Sequence, residues 1–203
     1  MKIKDNQKGL TLVEILVAVS IFSLLSVVVS GIYVAFSNAQ ARATRAQRLL
    51  NDAQFALVGM AREIRNNEVY YGFGGMTQSI CEDEIKPSTG INIESCVFLR
   101  KNDGTIIAFA KETYENKLDY LVKDQINDIW SVTGFVFNDG DEGVEINNLN
   151  FYVYPTADPN IEGNLNRQPF VMIQVQVNTA DTNIYKRVSY NLQTSVSSRA
   201  YTR

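Results

Sequence analysis

The chain has 203 residues and a formal net charge of −3, enough length for one domain with a real core but not comfortably for two. It contains no histidine, which excludes Ser-His-Asp and Cys-His nucleophilic sets and removes the commonest zinc ligand, and two cysteines are too few for a thiolate cage. Residues 1–9 carry +2 (Lys2, Lys4 and Lys8 against Asp5), so the remainder carries −5, a mildly acidic body that points to neither nucleic acid nor an anionic membrane surface.

The first element is the apolar run Gly9–Phe36, interrupted by a single charge, Glu14. As a helix rising ~1.5 Å per residue it exceeds the ~30 Å hydrocarbon core of a bilayer, so it is long enough to span one. Lysines before the run and none within it favour a cytoplasmic N-terminus and a body on the other side. A carboxylate costs roughly 2.5–3.5 kcal/mol at the bilayer centre and less towards its edge, so Glu14 asks for a partner. Two ordinary readings compete here. One is a secretory signal peptide cut at Ala39-Gln40-Ala41, although the run is about twice a normal 7–15-residue h-region. The other is a plain signal anchor in which Glu14 is incidental.

Polar residues enter from Ser37, yet no Pro or Gly interrupts the chain before Gly59. Apolar residues recur at Ala39, Ala43, Ala46, Leu50, Ala53, Leu57, Met60 and Ile64, in steps of four and three, while Arg42, Arg45, Arg48, Asp52, Arg62 and Glu63 fall off that stripe. The spacing predicts one helix from about Leu10 to Arg65, ended by Asn66-Asn67. A stripe this rich in alanine suits close packing on a sheet or a neighbouring helix better than a two-stranded coiled coil.

Tyr70–Gly75 is glycine-rich and reads as a loop; Tyr70, Tyr71 and Phe73 have no basic setting, so packing is expected of them rather than stacking on DNA or sugar. Cys81–Cys96 encloses Pro87, Ser88 and Gly90 and reads as another loop. A Cys81–Cys96 disulfide, worth roughly 3 kcal/mol, is plausible if the body leaves the cytosol; two separate buried thiols are the other possibility. Strands are expected at Val97–Arg100 and Thr105–Ala110, joined by the turn Asn102-Asp103-Gly104, then at Leu118–Val122, Val144–Tyr154, Phe170–Val177 and Tyr185–Val196. In the last of these Val188, Tyr190, Leu192 and Val196 share one face, with Ser189, Asn191, Gln193 and Ser195 opposite, the mark of a half-buried antiparallel strand. The fold expected is α+β: a long N-terminal helix packed on an antiparallel sheet.

Asn138–Glu145 places Asp139, Asp141 and Glu145 at alternating positions in an Asp-Gly turn, which makes them a weak calcium candidate beside the simpler reading of a solvated turn. Thr156–Arg167 reads as a polar surface connection, a segment type open to contact with a partner. No carboxylate pair is marked out for acid–base work, so no enzymatic activity is expected.

The junction Lys8-Gly9-Leu10-Thr11-Leu12-Val13-Glu14 resembles the leader junction of type IV prepilins: a short basic leader ending in Gly, an apolar residue, and Glu four places further on. The resemblance implies cleavage between Gly9 and Leu10 by a prepilin peptidase and N-methylation of Leu10. It also implies a role for Glu14 in neutralising the terminus of an adjacent subunit, so that both low-dielectric charges are paired. Two positions depart from the commonest pattern: Leu10 stands where the family most often has Phe, and Gly31, after Ser30, stands where major pilins often have a helix-breaking Pro. Phe55–Arg65 and the closing Tyr190–Tyr201 are weakly similar to J-type minor pseudopilins and W-type minor pilins. The organisation implied is a leader (1–9), a transmembrane and filament-core helix half (10–36), and an extracytoplasmic head (37–203), the head comprising an amphipathic helix half (37–66) and a β-sheet domain (67–203). Implied partners are other major and minor pilins, the prepilin peptidase and an assembly platform in the cytoplasmic membrane. No cofactor is implied, although some pseudopilin heads bind calcium.

Overall fold

A computed structural model describes residues 11–113, 118–134, 144–159, 161, 167–179 and 187–198. The chain divides into two units, residues 1–44 and 45–203. Helix α1, Leu12–Asn66, is continuous. Over residues 12–44 every side chain is exposed, including the large apolar ones from Leu12 to Phe36. From residue 45 onward α1 belongs to the second unit, where Leu49, Ala53, Ala56, Leu57, Met60 and Ile64 are buried. The stripe expected from the sequence therefore meets the core only in its lower half. Ala39 and Ala43 are exposed, Ala46 and Leu50 are half-buried, and the buried face is widened by Leu49 and Ala56.

Two antiparallel sheets form the rest of the second unit, where the sequence suggested one. The first has β1 (Glu68–Val69), β2 (Ile93–Arg100), β3 (Ile106–Glu112), β4 (Leu118–Lys123) and β5 (Trp130–Val132) in that spatial order. The second has β6 (Val144–Tyr154), β7 (Phe170–Thr179) and β8 (Ser189–Ser197). They touch where the Ser95 hydroxyl donates to the Leu149 carbonyl. The β2–β3 turn is as the Asn-Asp-Gly signal requires: Gly104 takes φ +88°, and Asp103 accepts from the Thr105 N–H at 2.9 Å.

The segment 78–89 corrects the loop expected between the cysteines. Gln78–Thr89 is helix α2. Thr77 caps its start, with its side chain accepting from the Ile80 N–H, and Gly90 ends it in the left-handed region at φ +74°, donating to the Lys86 carbonyl. Pro87 sits in the last turn, where its missing N–H forgoes one ladder bond, to the Asp83 carbonyl.

Helix α2 explains the burial of the first sheet. One face of that sheet (Val97, Leu99, Ile107, Phe109, Leu118) packs in the same core as α1. The other (Cys96, Phe98, Ala108, Ala110, Leu121) is covered by Cys81 and Ile85 of α2, by Trp130 and by the half-buried loop aromatics Tyr70 and Phe73. Strands β2 and β3 are thus near-continuously buried, as strands covered on both faces are. The second sheet packs Ile146, Leu149, Val171, Ile173, Val175, Val177 and Val196 against α1, and its opposite face is open to solvent, so β7 and β8 keep a strict alternation.

Candidate functional site

The N-terminal half of α1 opens with a reciprocal cap. Thr11 Oγ1 accepts from the Glu14 N–H at 3.3 Å, and Glu14 Oε2 accepts from the Thr11 N–H at 3.0 Å and from the Thr11 hydroxyl at 3.1 Å. This is a capping box, in which two of the four otherwise unsatisfied N–H groups of the first turn are served by side chains. Glu14 Oε1 accepts no hydrogen bond among the described residues. Thr11 is a site residue that the reading of Glu14 as a charge in need of a partner did not include; its Thr-x-x-Glu spacing was the available signal.

Below the cap, Ser20, Ser23, Ser26 and Ser30 donate to the carbonyls of Leu16, Val19, Phe22 and Ser26, at 2.7–2.8 Å. Their hydroxyls are therefore satisfied within the helix, which apolar surroundings demand. Gly31 lies inside the continuous helix, and a Cβ there would meet nothing within 4 Å in this chain. The helix is long and apolar enough to cross a membrane, with a peak mean hydropathy of 2.7 and no part of that stretch buried.

Gly9 and Leu10, the expected cleavage and methylation positions, lie outside the described residues, as do Asp139 and Asp141 of the calcium candidate. Glu145 lies near the start of β6, in register with Asn178. Among the described residues no three side chains of the types that hold metal ions cluster together. Cys81 and Cys96 form a disulfide with Cα atoms 5.8 Å apart, tying α2 to β2 inside the core.

The loop aromatics pack as expected. Phe73 lies edge-on to Tyr70 (5.1 Å between centroids) and to Phe98 (4.9 Å), Phe98 lies 5.7 Å from Trp130, and the Lys123 ammonium sits 4.5 Å from the Phe73 ring centroid. Carboxyl groups with shifted acidity sit in turns: N–H groups of Thr105 and Ile126 hold Asp103 and Asp124 below the ordinary aspartate value. The Arg100 guanidinium is raised by its hydrogen bond to Glu68, at 2.6 Å. These groups are ordinary turn and surface-pair stabilisers.

A long N-terminal apolar helix whose distal half packs against antiparallel sheets defines an α+β, pilin-like arrangement. Residues 4–30 match the family model described as the prokaryotic N-terminal methylation motif. That match supports a type IV prepilin-like protein, and the apolar helix is consistent with a membrane anchor. No curated protein and no solved structure matches the chain.

Proposed function

We propose that this chain is a minor pilin or pseudopilin, a structural subunit of a type IV pilus or of a type II secretion pseudopilus, placed in a tip or initiation complex. It is made as a single-pass precursor in the cytoplasmic membrane with its N-terminus inside. It is cut between Gly9 and Leu10, methylated on the Leu10 amine, and then built through α1 into a filament whose neighbours are other pilins. The observation that carries this reading is the methylation motif over residues 4–30, set on a helix whose large apolar side chains from Leu12 to Phe36 are exposed among the described residues.

The geometry at Glu14 supplies a mechanism. Cleavage after Gly9 leaves the Thr11 N–H and hydroxyl intact, so the cap continues to hold one carboxylate oxygen towards the helix start. The other oxygen then receives the ammonium of a neighbouring subunit, which lets both charges enter apolar surroundings as a pair. The J- and W-type likeness of Phe55–Arg65 and Tyr190–Tyr201 supports the minor, tip-proximal role.

The test is the mass of the N-terminal peptide isolated with and without prepilin peptidase. A peptide beginning at N-methyl-Leu10 only when the peptidase is present is the expected result. One beginning at Met1 in both leaves a signal-anchored extracytoplasmic binding domain that never polymerises, and one beginning at Arg42 means a secreted soluble body. Glu14→Ala adds a second arm: membrane insertion persists while incorporation into filaments is lost, whereas a plain anchor loses neither.

A further inference from the structure

The open face of the second sheet has an unusual composition. Strand register aligns two rows of primary amides across it: Asn148, Gln176 and Asn191 in one, Asn150, Gln174 and Gln193 in the next. The rows line a shallow depression of about 330 Å³ that lies over the stretches of β7 and β8 around Val175 and Leu192. Strands lie ~4.8 Å apart and same-face residues on one strand about 6.8 Å apart, so the six amides form a grid on the scale of one or two pyranose rings. Asn178, two residues further along β7, has a buried Oδ1 without a hydrogen-bond partner among the described residues. At the other end of the face Tyr152 and Tyr154 are about half exposed, with Phe170 beside them. Among the described residues charge lies at the ends of the face, with Glu145 in register with Asn178, Arg187 just before β8, and Arg167 against the Tyr154 ring.

Sheet stability does not ask for this face. Asparagine is depleted in strands, and exposed strand positions are better served by Thr, Tyr or Val. An ordinary surface is about 25–35% charged, yet neither amide row carries a charge. Gln174 Nε2 donates to Gln193 Oε1 at 3.3 Å and Gln193 Nε2 to Met172 Sδ at 3.1 Å, but Asn148, Asn150, Gln176 and Asn191 have no side-chain partner among the described residues, and a local preference broken repeatedly on one patch for so little structural gain marks function. The patch lacks the cations that nucleic acid or other anions need and the carboxylates that a metal ion needs. What it offers is a set of planar groups, each carrying donors and an acceptor side by side, next to exposed aromatic rings. Adjacent sugar hydroxyls are likewise donor and acceptor at once, and the apolar face of a sugar ring stacks on an aromatic.

We infer that the face formed by Asn148, Asn150, Gln174, Gln176, Asn191 and Gln193 binds a neutral oligosaccharide, with the tyrosine end stacking on one of its rings. The site lies wholly on the second sheet and does not depend on whether the chain polymerises. The full-length protein is placed in micelles of a non-glycosidic detergent and titrated by calorimetry with neutral hexaoses of glucose, galactose, mannose and N-acetylglucosamine. Hexagalacturonate is the anionic control. The expected result is saturable binding of at least one neutral hexaose, no binding of the control, and side-chain amide NMR shifts confined to the two rows. The double variant Asn150→Thr/Gln174→Thr, chosen because threonine suits strands, loses at least about tenfold in affinity with its unfolding midpoint unchanged. If all four neutral hexaoses fail to bind, if binding is confined to the anion, if the double variant binds as the parent does, or if cross-linking finds the face covered by a second copy of the chain, the inference is overturned.

Discussion

Replacing Cys81 and Cys96 together by alanine tests how the first sheet keeps its outer cover. The bond closes a 15-residue separation, for which the chain-entropy contribution is about 3 kcal/mol. Both cysteines are fully buried beside Ile85, Phe98 and Trp130, so the lost sulfurs also leave space, adding about 1 kcal/mol. Little else holds α2. At 12 residues it is too short to persist alone, its Ile85 contributes about 2 kcal/mol of burial, and the Lys123–Glu84 pair at 3.6 Å contributes at most a fraction of that. The assay is urea unfolding of the full chain in micelles, followed by the fluorescence of Trp130, the single tryptophan, which packs in the same cluster as the bond. With a slope of about 2 kcal/mol per molar urea, a loss of about 4 kcal/mol lowers the midpoint by about 2 M. In the parent protein the bond resists a phosphine reductant until urea is added, because α2 covers it. A midpoint shift under about 0.3 M would refute the reasoning, since α2 would then be held by apolar contact alone. Two thiols titrating in the native protein would refute it as well.

Three further outcomes follow from the same structure. Ile64→Ala, which empties a fully buried position on α1, lowers stability by about 2–5 kcal/mol, whereas Phe55→Ala on the exposed side of that helix stays within about 0.5 kcal/mol; paired urea curves measure both. Lys111 is buried and its ammonium pairs with the half-exposed Glu94, so Glu94→Ala, which strands a cation, costs more (about 1–3 kcal/mol) than Lys111→Met, which is close to neutral; equal losses from the two would argue against the pairing. The carboxyls of Asp103 and Asp124 titrate below 3.8 in the folded chain, where backbone N–H groups favour the charged form. Their contribution to stability is therefore present above the unfolded value and is lost as pH falls through the lowered folded values, which carboxyl-carbon NMR titration reads directly.

Much of this fold is legible where periodicity is strong. Val144–Tyr154 stops at Pro155, and its strand has those bounds; Asn102-Asp103-Gly104 names its own turn. Helix α2 is obscured because Pro87, Ser88 and Gly90 read as breakers, although Thr77 and Gly90 are a cap pair at the right separation. Three-residue β5 has no period to read. The division into two sheets depends on which strands meet at Ser95 and Leu149, a long-range fact with no local signature. The same holds for the amide grid. The polar face of β8 is plain in the sequence, but the alignment of Gln193 with Gln174 and Asn150 comes only from register. At the N-terminus, the cost of a carboxylate in a membrane points outward to a partner, while the structure adds Thr11 as the nearer one.

The serine hydroxyls of α1 have a consequence for where that helix can live. With Ser20, Ser23, Ser26 and Ser30 each closed onto a carbonyl one turn back, these serines place no polar requirement on what surrounds them. Acyl chains and the flanks of other apolar helices are then nearly equivalent hosts, and exchanging one for the other breaks no hydrogen bond at these positions. On the proposed function, the ability to tell the two hosts apart is left to Glu14, whose second oxygen is a polar demand that hydrocarbon cannot meet and a cationic neighbour can.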